Sequence, residues 1–275
     1  MIQDLFHHRF YNEFSLKREP ENNDEVFVFD GNNVLVSGDG ENFPLSLPKV
    51  SSFNRDDLVY LFRIDDRAYF LHKGDNSPCI EGFAYMTKRV LRSDNPRTVC
   101  FAGFTAYQLY QWYSTSRFCG RCGCKTEHST QERALVCPHC GNTVYPKIAP
   151  AVIVAVTDGD SIVVTQYKDR PYRGVALIAG FCEVGETPEQ TCRREVLEEV
   201  GLKIKNIRYY GSQPWGIDSN LLLGYVAEVD GSRKIVRDEN ELAQALWKKR
   251  DELQPSEPVI SLTKTMIKAF SEHLF

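Results

Sequence analysis

Gly180-Phe181-Cys182-Glu183-Val184-Gly185-Glu186-Thr187-Pro188-Glu189-Gln190-Thr191-Cys192-Arg193-Arg194-Glu195-Val196-Leu197-Glu198-Glu199-Val200-Gly201-Leu202 carries its own punctuation. Thr187 is a good N-cap, Pro188 suits the first helical position, and Gln190 completes a capping box. Gly201 is a natural residue for a left-handed helix end. These signals predict a helix over 188–200. At about 100° per residue, Glu195, Glu198 and Glu199 fall within an arc of roughly 100° on one face. Three like charges near a helix C-terminus repel one another and oppose the helix dipole. A divalent cation with a taste for oxygen ligands would relieve both problems. Arg194 lies one turn before Glu198 and is placed to pair with it. The competing reading is a solvated acidic face, the usual fate of a charge run.

Upstream, Cys119-Gly120-Arg121-Cys122-Gly123 and Cys137-Pro138-His139-Cys140-Gly141 form two C-x2-C-G knuckles with fourteen residues between Cys122 and Cys137. Four thiolates at this spacing suit a closed, tetrahedral, structural Zn²⁺ site. The intervening segment has the length of a hairpin. Cys124 and His139 lie close in sequence but are read as bystanders, because the paired cysteines already fill the shell. Arg117, Arg121, Lys125 and Arg133 raise the alternative of a nucleic-acid module, against which the acidic overall charge argues.

The 275 residues carry 33 Lys and Arg against 37 Asp and Glu, a net charge of -4, with 42% hydrophobic and 25% charged residues. That composition is globular and excludes a disordered or collagen-like chain. Nine cysteines, five of them within 119–140, fit metal binding and free thiols better than a secreted disulfide framework. The opening Met1-Ile2-Gln3-Asp4-Leu5-Phe6 does not read as a signal peptide, and no run approaches a membrane span. A cytoplasmic protein is the expectation.

Residues 1–100 read as β-rich. Val26–Phe29 and Val34–Val36 flank a turn signal at 30–33, and Leu58–Ile64 and Ala68–Leu71 repeat the pattern. A short helix is expected around 104–117. Ala151–Val156 reads as a buried strand, followed by a turn at 158–160, a return strand from Ile162, and further strand over Leu221–Val229. Helical pattern is expected again from about Glu239. The fold class is therefore α+β. The domains are an N-terminal β-rich domain over 1–112, the ribbon over 113–145, and a C-terminal α+β domain over 146–275.

The 180–202 string matches G-x5-E-x7-R-E-U-x-E-E-x-G-U, with U apolar, at Gly180, Glu186, Arg194, Glu195, Val196, Glu198, Glu199, Gly201 and Leu202. It resembles the Nudix box of the Nudix hydrolases. This resemblance implies an α/β/α sandwich and Mg²⁺- or Mn²⁺-dependent cleavage of a nucleoside diphosphate linked to another moiety. The ribbon directly before it, Tyr145-Pro146-Lys147-Ile148-Ala149-Pro150, and Ser212-Gln213-Pro214-Trp215 are similar to the NADH pyrophosphatase branch of that family. The branch's P-F-P-x-S after the tryptophan is here Gly216-Ile217-Asp218-Ser219-Asn220. That departure bears on the preference for NADH over NAD⁺.

The resemblance implies roles residue by residue. The Ala179 carbonyl, Glu195, Glu199 and Glu241, the last from the later helix, hold the catalytic Mg²⁺ or Mn²⁺. Glu198 or Glu241 serves as base, and Glu186 and Arg194 fix the loop and helix. Phe181 and Tyr145 flank the nucleotide rings. Gln213, Pro214, Trp215, Gly216, Ile217, Asp218, Ser219 and Asn220 line the pocket, with Glu132 and Thr263 touching substrate. Zn²⁺ is structural at Cys119, Cys122, Cys137 and Cys140. The implied reaction converts NAD(H) to AMP and nicotinamide mononucleotide. The alternatives are removal of NAD caps from RNA 5′ ends and hydrolysis of ADP-ribose or a similar compound. No membrane partner is implied, and the family pattern is a homodimer.

Overall fold

A computed structural model describes residues 1–14, 18–74, 76–168, 174–254 and 258–275. The chain divides into two compact units, one of residues 2–147 with 215–219 and one of Met1, 148–214 and 220–275.

In the first unit, strands β1 (Phe10–Tyr11), β2 (Glu25–Phe27), β3 (Phe29–Asp30), β4 (Asn33–Val36), β5 (Leu58–Ile64), β6 (Arg67–His72) and β7 (Ala84–Thr87) make two sheets, ordered β1-β5-β6-β2 and β3-β4-β7. The β3–β4 hairpin turns where the sequence places its Asp-Gly-Asn-Asn signal, with Gly31 in the left-handed region. Val26, Val28, Leu35, Leu58, Tyr60, Ala68 and Phe70 share one apolar core. Helix α1 (Arg97–Thr115) begins earlier than the sequence periodicity predicts and leads into the ribbon. The ribbon is a small sheet ordered β10-β9-β8, built from β8 (Glu127–His128), β9 (Leu135–Val136) and β10 (Thr143–Val144). The expected hairpin between the knuckles is present as the β8–β9 pair.

The second unit holds β11 (Ala149–Asp158), β12 (Ser161–Tyr167), β13 (Ile178–Phe181), α2 (Pro188–Val200), β14 (Ile204–Trp215), β15 (Asn220–Val229), β16 (Leu242–Lys249) and α3 (Leu262–Ser271). Its sheet runs β14-β15-β11-β12-β16, and β13 pairs with β11. β11 is parallel to β15 and antiparallel to β12 and β13. Side chains alternate along a strand, so the continuous apolar run of β11 feeds two cores. Val152, Val154 and Val156 pack with Cys192, Val196 and Val200 of α2. Ile153 and Ala155 pack with Leu262, Met266, Ile267 and Phe270 of α3. A sheet with a helix on each face is the α/β/α sandwich that the resemblance implies. Among the described residues, no helix is long and apolar enough to cross a membrane.

One expectation fails. The helix predicted from about Glu239 is absent, and the segment is instead β16, with Glu241 in the turn just before it. Ala, Gln, Leu and Lys favour helix locally. Here the pairing of β16 with β12, including Val163 opposite Trp247, overrides that preference, and Leu242 is buried in the α2-side core.

Candidate functional site

Helix α2 runs between the predicted ends. Thr187 Oγ1 accepts from Gln190 N at 3.3 Å, and Gln190 Oε1 accepts from Thr187 N at 2.8 Å. Gly201 closes the helix at φ 67°. Val196 and Val200 anchor the inner face in the core, and the Glu195 carboxylate lies against Gly180 of β13.

Arg194 is the hub of that face. Its Nε and one terminal nitrogen donate to the two Glu186 oxygens at 2.8 and 2.9 Å. The other terminal nitrogen donates to Glu195 Oε1 at 2.7 Å and to Glu198 Oε2 at 3.0 Å, and the Phe181 carbonyl accepts at 3.0 Å. Planar, charge-assisted bonds of this kind set direction as well as energy. They hold the Glu186 carboxyl down to about 2, and burial offsets only part of that. Glu186 also accepts from Thr191 Oγ1 at 2.9 Å and from Glu183 N at 3.2 Å. Sequence reasoning gave Thr191 no role, because nothing local shows that its hydroxyl reaches Glu186. Glu186 and Arg194 thus fix the loop to the helix.

Glu199 is the opposite case. It is 1% exposed, and neither carboxylate oxygen makes a hydrogen bond. Burial first, then the neighbouring charges of Glu241 and Glu195, push its carboxyl up to about 8, opposed by the Ala179 backbone and Tyr167. Glu195 is raised as well, chiefly by burial and despite Arg194. A buried carboxylate without donors is costly unless something positive completes it. The donor set, all oxygen, fits a hard divalent cation, and so the residues present fit Mg²⁺ or Mn²⁺. The Ala179 carbonyl, which accepts from Tyr167 Oη at 3.3 Å, belongs to β13 beside this helix. Glu198 keeps 59% of its side chain exposed.

Gly180 explains itself sterically. A Cβ there would strike the Glu195 carboxylate. Gly180→Ala is expected to displace that carboxylate, to cost about 1–3 kcal/mol if the helix cannot shift, and to raise the metal concentration needed for half activity. Unchanged metal dependence and unchanged thermal stability would show that Glu195 has room elsewhere.

The ribbon cysteines converge without help. All four Sγ atoms lie within 4.8 Å of one another, with Cys119–Cys140 at 3.6 Å and Cys122–Cys137 at 3.4 Å. Zn–S bonds of about 2.3 Å give tetrahedral edges of about 3.8 Å, so the set fits zinc. Gly123 and Gly141, at φ 76° and 70°, make the tight knuckle turns. The ribbon is a four-cysteine zinc site. Among the described residues, Cys122, Cys124 and His139 form the only other such convergence, and the carboxylates of α2 do not draw together as closely.

Other sequence-predicted residues have settled partners. Gln213 is fully buried, and its amide donates to Ile260 O at 2.8 Å and accepts from Leu262 N at 2.6 Å, at the start of α3 where Thr263 also lies. Phe181 is exposed, and Pro214 is exposed. In the first unit, Tyr145 donates to Glu132 Oε1 at 2.8 Å. Trp215 packs edge-on against Phe104 at 4.9 Å and donates to Asp218 Oδ2 at 2.9 Å. Ile217 is buried, and its carbonyl accepts from Lys88 Nζ at 3.3 Å. A Cβ on Gly216 would run into the Phe104 carbonyl. The 215–219 segment is therefore fastened to α1 and its neighbours. Ser219 takes a left-handed conformation, and Asn220 begins β15. Arg133 is not free for phosphate. Its guanidinium donates to the Leu61 carbonyl and sits over Phe14.

Residues 147–270 match the NUDIX domain, and residues 114–145 match the NADH pyrophosphatase zinc ribbon domain. Relatives named NAD-capped RNA hydrolase NudC, from Enterobacter sp. (strain 638) and Salmonella enteritidis PT4, are each 44% identical over 161 residues. Those matches cover 58% of this chain and 62% of each relative, so the chain spans less than two thirds of their length. A NUDIX hydrolase structure from Nitrosomonas europaea is similar at TM-score 0.49 and 20% identity, over 57% of this chain and 92% of that one.

Proposed function

From a chain that carries a Nudix domain and an NADH pyrophosphatase zinc ribbon domain, we propose hydrolysis of the pyrophosphate bond of NAD(H) to AMP and nicotinamide mononucleotide. The observation that carries the reading is the α2 face, where Arg194 orders Glu186, Glu195 and Glu198 around an uncompensated buried Glu199. Glu195, Glu199, Glu241 and the Ala179 carbonyl are the residues that would hold Mg²⁺ or Mn²⁺. When bound, the cation neutralises pyrophosphate charge and acidifies water for attack on phosphorus. Arg194 keeps Glu195 and Glu198 aimed from one guanidinium. Glu198, exposed and tethered through one oxygen, is positioned to take a proton from the attacking water, with Glu241 as the other candidate. Glu186 and Thr191 keep the loop on the helix and do no chemistry.

The rings are assigned on resemblance alone to Phe181, Tyr145, Glu132, Thr263 and the segment 213–220. A homodimer and a cytoplasmic setting belong to the same reading. The names of the relatives support a second one, removal of the NAD cap from RNA, in which exposed Arg121 could meet phosphate. Purified protein with Mg²⁺ or Mn²⁺ is offered NADH, NAD⁺, ADP-ribose and NAD-capped RNA, and the products are separated by chromatography. Release of AMP and nicotinamide mononucleotide supports the first reading. Cleavage of ADP-ribose alone sinks both.

Asp218 offers a conservative test of ring preference. Asp218→Asn keeps an acceptor for the Trp215 indole while removing the charge. Its exposure calls for a small effect, a fall in kcat/KM for NAD⁺ relative to NADH of no more than about fivefold. A constant ratio would show that this charge does not choose the ring.

A further inference from the structure

The ribbon holds more soft donors than one tetrahedral ion can use. Cys122, Cys124 and His139 bring a sulphur, a second sulphur and an imidazole nitrogen within 4.8 Å of one another. Cys122 also belongs to the four-thiolate set, so the two groups share one sulphur. The backbone puts them there. Cys119 N donates to Cys124 O at 2.8 Å, and Gly123 N donates to Cys119 O at 2.8 Å, which folds Cys124 back beside its own knuckle. Gly141 N donates to Cys137 O at 2.9 Å, closing the facing knuckle that contains His139.

Charge and ligand chemistry favour a second ion here. Zn²⁺ with four thiolates carries two excess negative charges. A second divalent ion, joined by the Cys124 thiolate, leaves one. Thiolate and imidazole are donors for borderline and soft ions, whereas Mg²⁺ and Mn²⁺ prefer oxygen. Cys122 and His139 are exposed and Cys124 is half-buried, so an ion can enter from solvent and keep one open position.

We propose that Cys122, Cys124 and His139 form a second, weaker site for a thiophilic divalent ion of the Zn²⁺ and Cd²⁺ class, bridged to the ribbon zinc through the Cys122 sulphur. The site is weaker because one of its three protein donors is shared. It is independent of the proposed hydrolysis.

The test titrates Cd²⁺ into the full chain with its ribbon zinc in place and excess Mg²⁺ present to occupy oxygen-donor sites. Elemental analysis counts total thiophilic ions per chain, and the ultraviolet thiolate-to-cadmium band reports sulphur ligation. The unmutated protein is expected to hold two ions, the second removable by a weak chelator. Cys124→Ser and His139→Ala should each hold one ion tightly and keep the thermal stability of the parent. Saturation of the unmutated protein at one ion overturns the proposal. So does a double Cys124→Ser, His139→Ala variant that still takes two. Loss of the first ion in either single variant also overturns it, because that residue then belongs to the primary zinc shell.

Discussion

Glu199→Gln is expected to lower activity by at least about 100-fold at ordinary Mg²⁺, while making the metal-free protein more stable. The two effects have one cause. Glu199 is 1% exposed and its oxygens have no donors. The charged form is therefore unfavourable until a cation completes it, and the amide removes both the penalty and the attraction. The pH dependence follows from the same burial. Because the folded carboxyl is raised to about 8, above its ordinary value, the folded state keeps a proton that the unfolded chain loses. This group therefore reduces stability as pH rises from about 4.5 toward 8, by an amount on the order of a few kcal/mol in chelator. The Glu199→Gln variant, with no proton to lose at this position, lacks that slope. Mg²⁺ should raise the thermal midpoint of the parent at pH 8 and barely move that of the variant. Glu198→Gln provides the contrast. Its side chain is largely exposed, so stability should hold, while kcat falls about 10²–10⁴-fold if Glu198 is the base. Near-full activity of both variants at saturating metal would remove this helix from the chemistry. Loss confined to Glu199→Gln would pass the base to Glu241.

Some of this was legible because it is local. Both ends of α2 are written within a few residues of where they act, in Thr187, Pro188, Gln190 and Gly201. The cysteine knuckles are equally self-contained. The strand at Leu242–Lys249 was not legible, because its state is set by β12, about eighty residues earlier in the chain, and not by its helix-favouring side chains. Gln213 shows the same limit at one side chain. Nothing local says that its amide will be consumed by the backbone entering α3. Gly216 differs again. The sequence shows that two prolines are missing, but only packing against the Phe104 carbonyl shows that no side chain fits at the first of those positions. Restoring the branch's proline there would report a steric clash before it reported anything about ring preference.

Cys119→Ser is expected to release the ribbon zinc and to lower the thermal midpoint by roughly 5–10 °C. The segment has little else to hold it. Residues 114–145 include three strands of two residues each, and apart from the cysteines the buried apolar side chains there are Ala134 and Leu135. A segment that short does not bury enough apolar surface to order itself without a metal or another staple. Zinc supplies the missing free energy by bonding to four thiolates whose sulphurs already stand near tetrahedral separation. One of them, Cys119, accepts from the Arg121 backbone N–H at 3.4 Å, which pulls its thiol below the usual range and favours the thiolate that the variant loses. The damage should spread along identifiable contacts. Thr126 Oγ1 donates to Ser116 O at 2.7 Å at the end of α1, and His128 lies 5.1 Å from the Tyr113 ring. Arg133 reaches from the ribbon to the Leu61 carbonyl. Hydrogen exchange should therefore accelerate over 117–144 and at the C-terminal turn of α1. Helix α2, capped at both ends by its own residues and packed on β11, should keep its protection. Unaltered protection over 117–144 after stoichiometric zinc loss would mean that the ribbon is held by its packing and that the metal is a passenger.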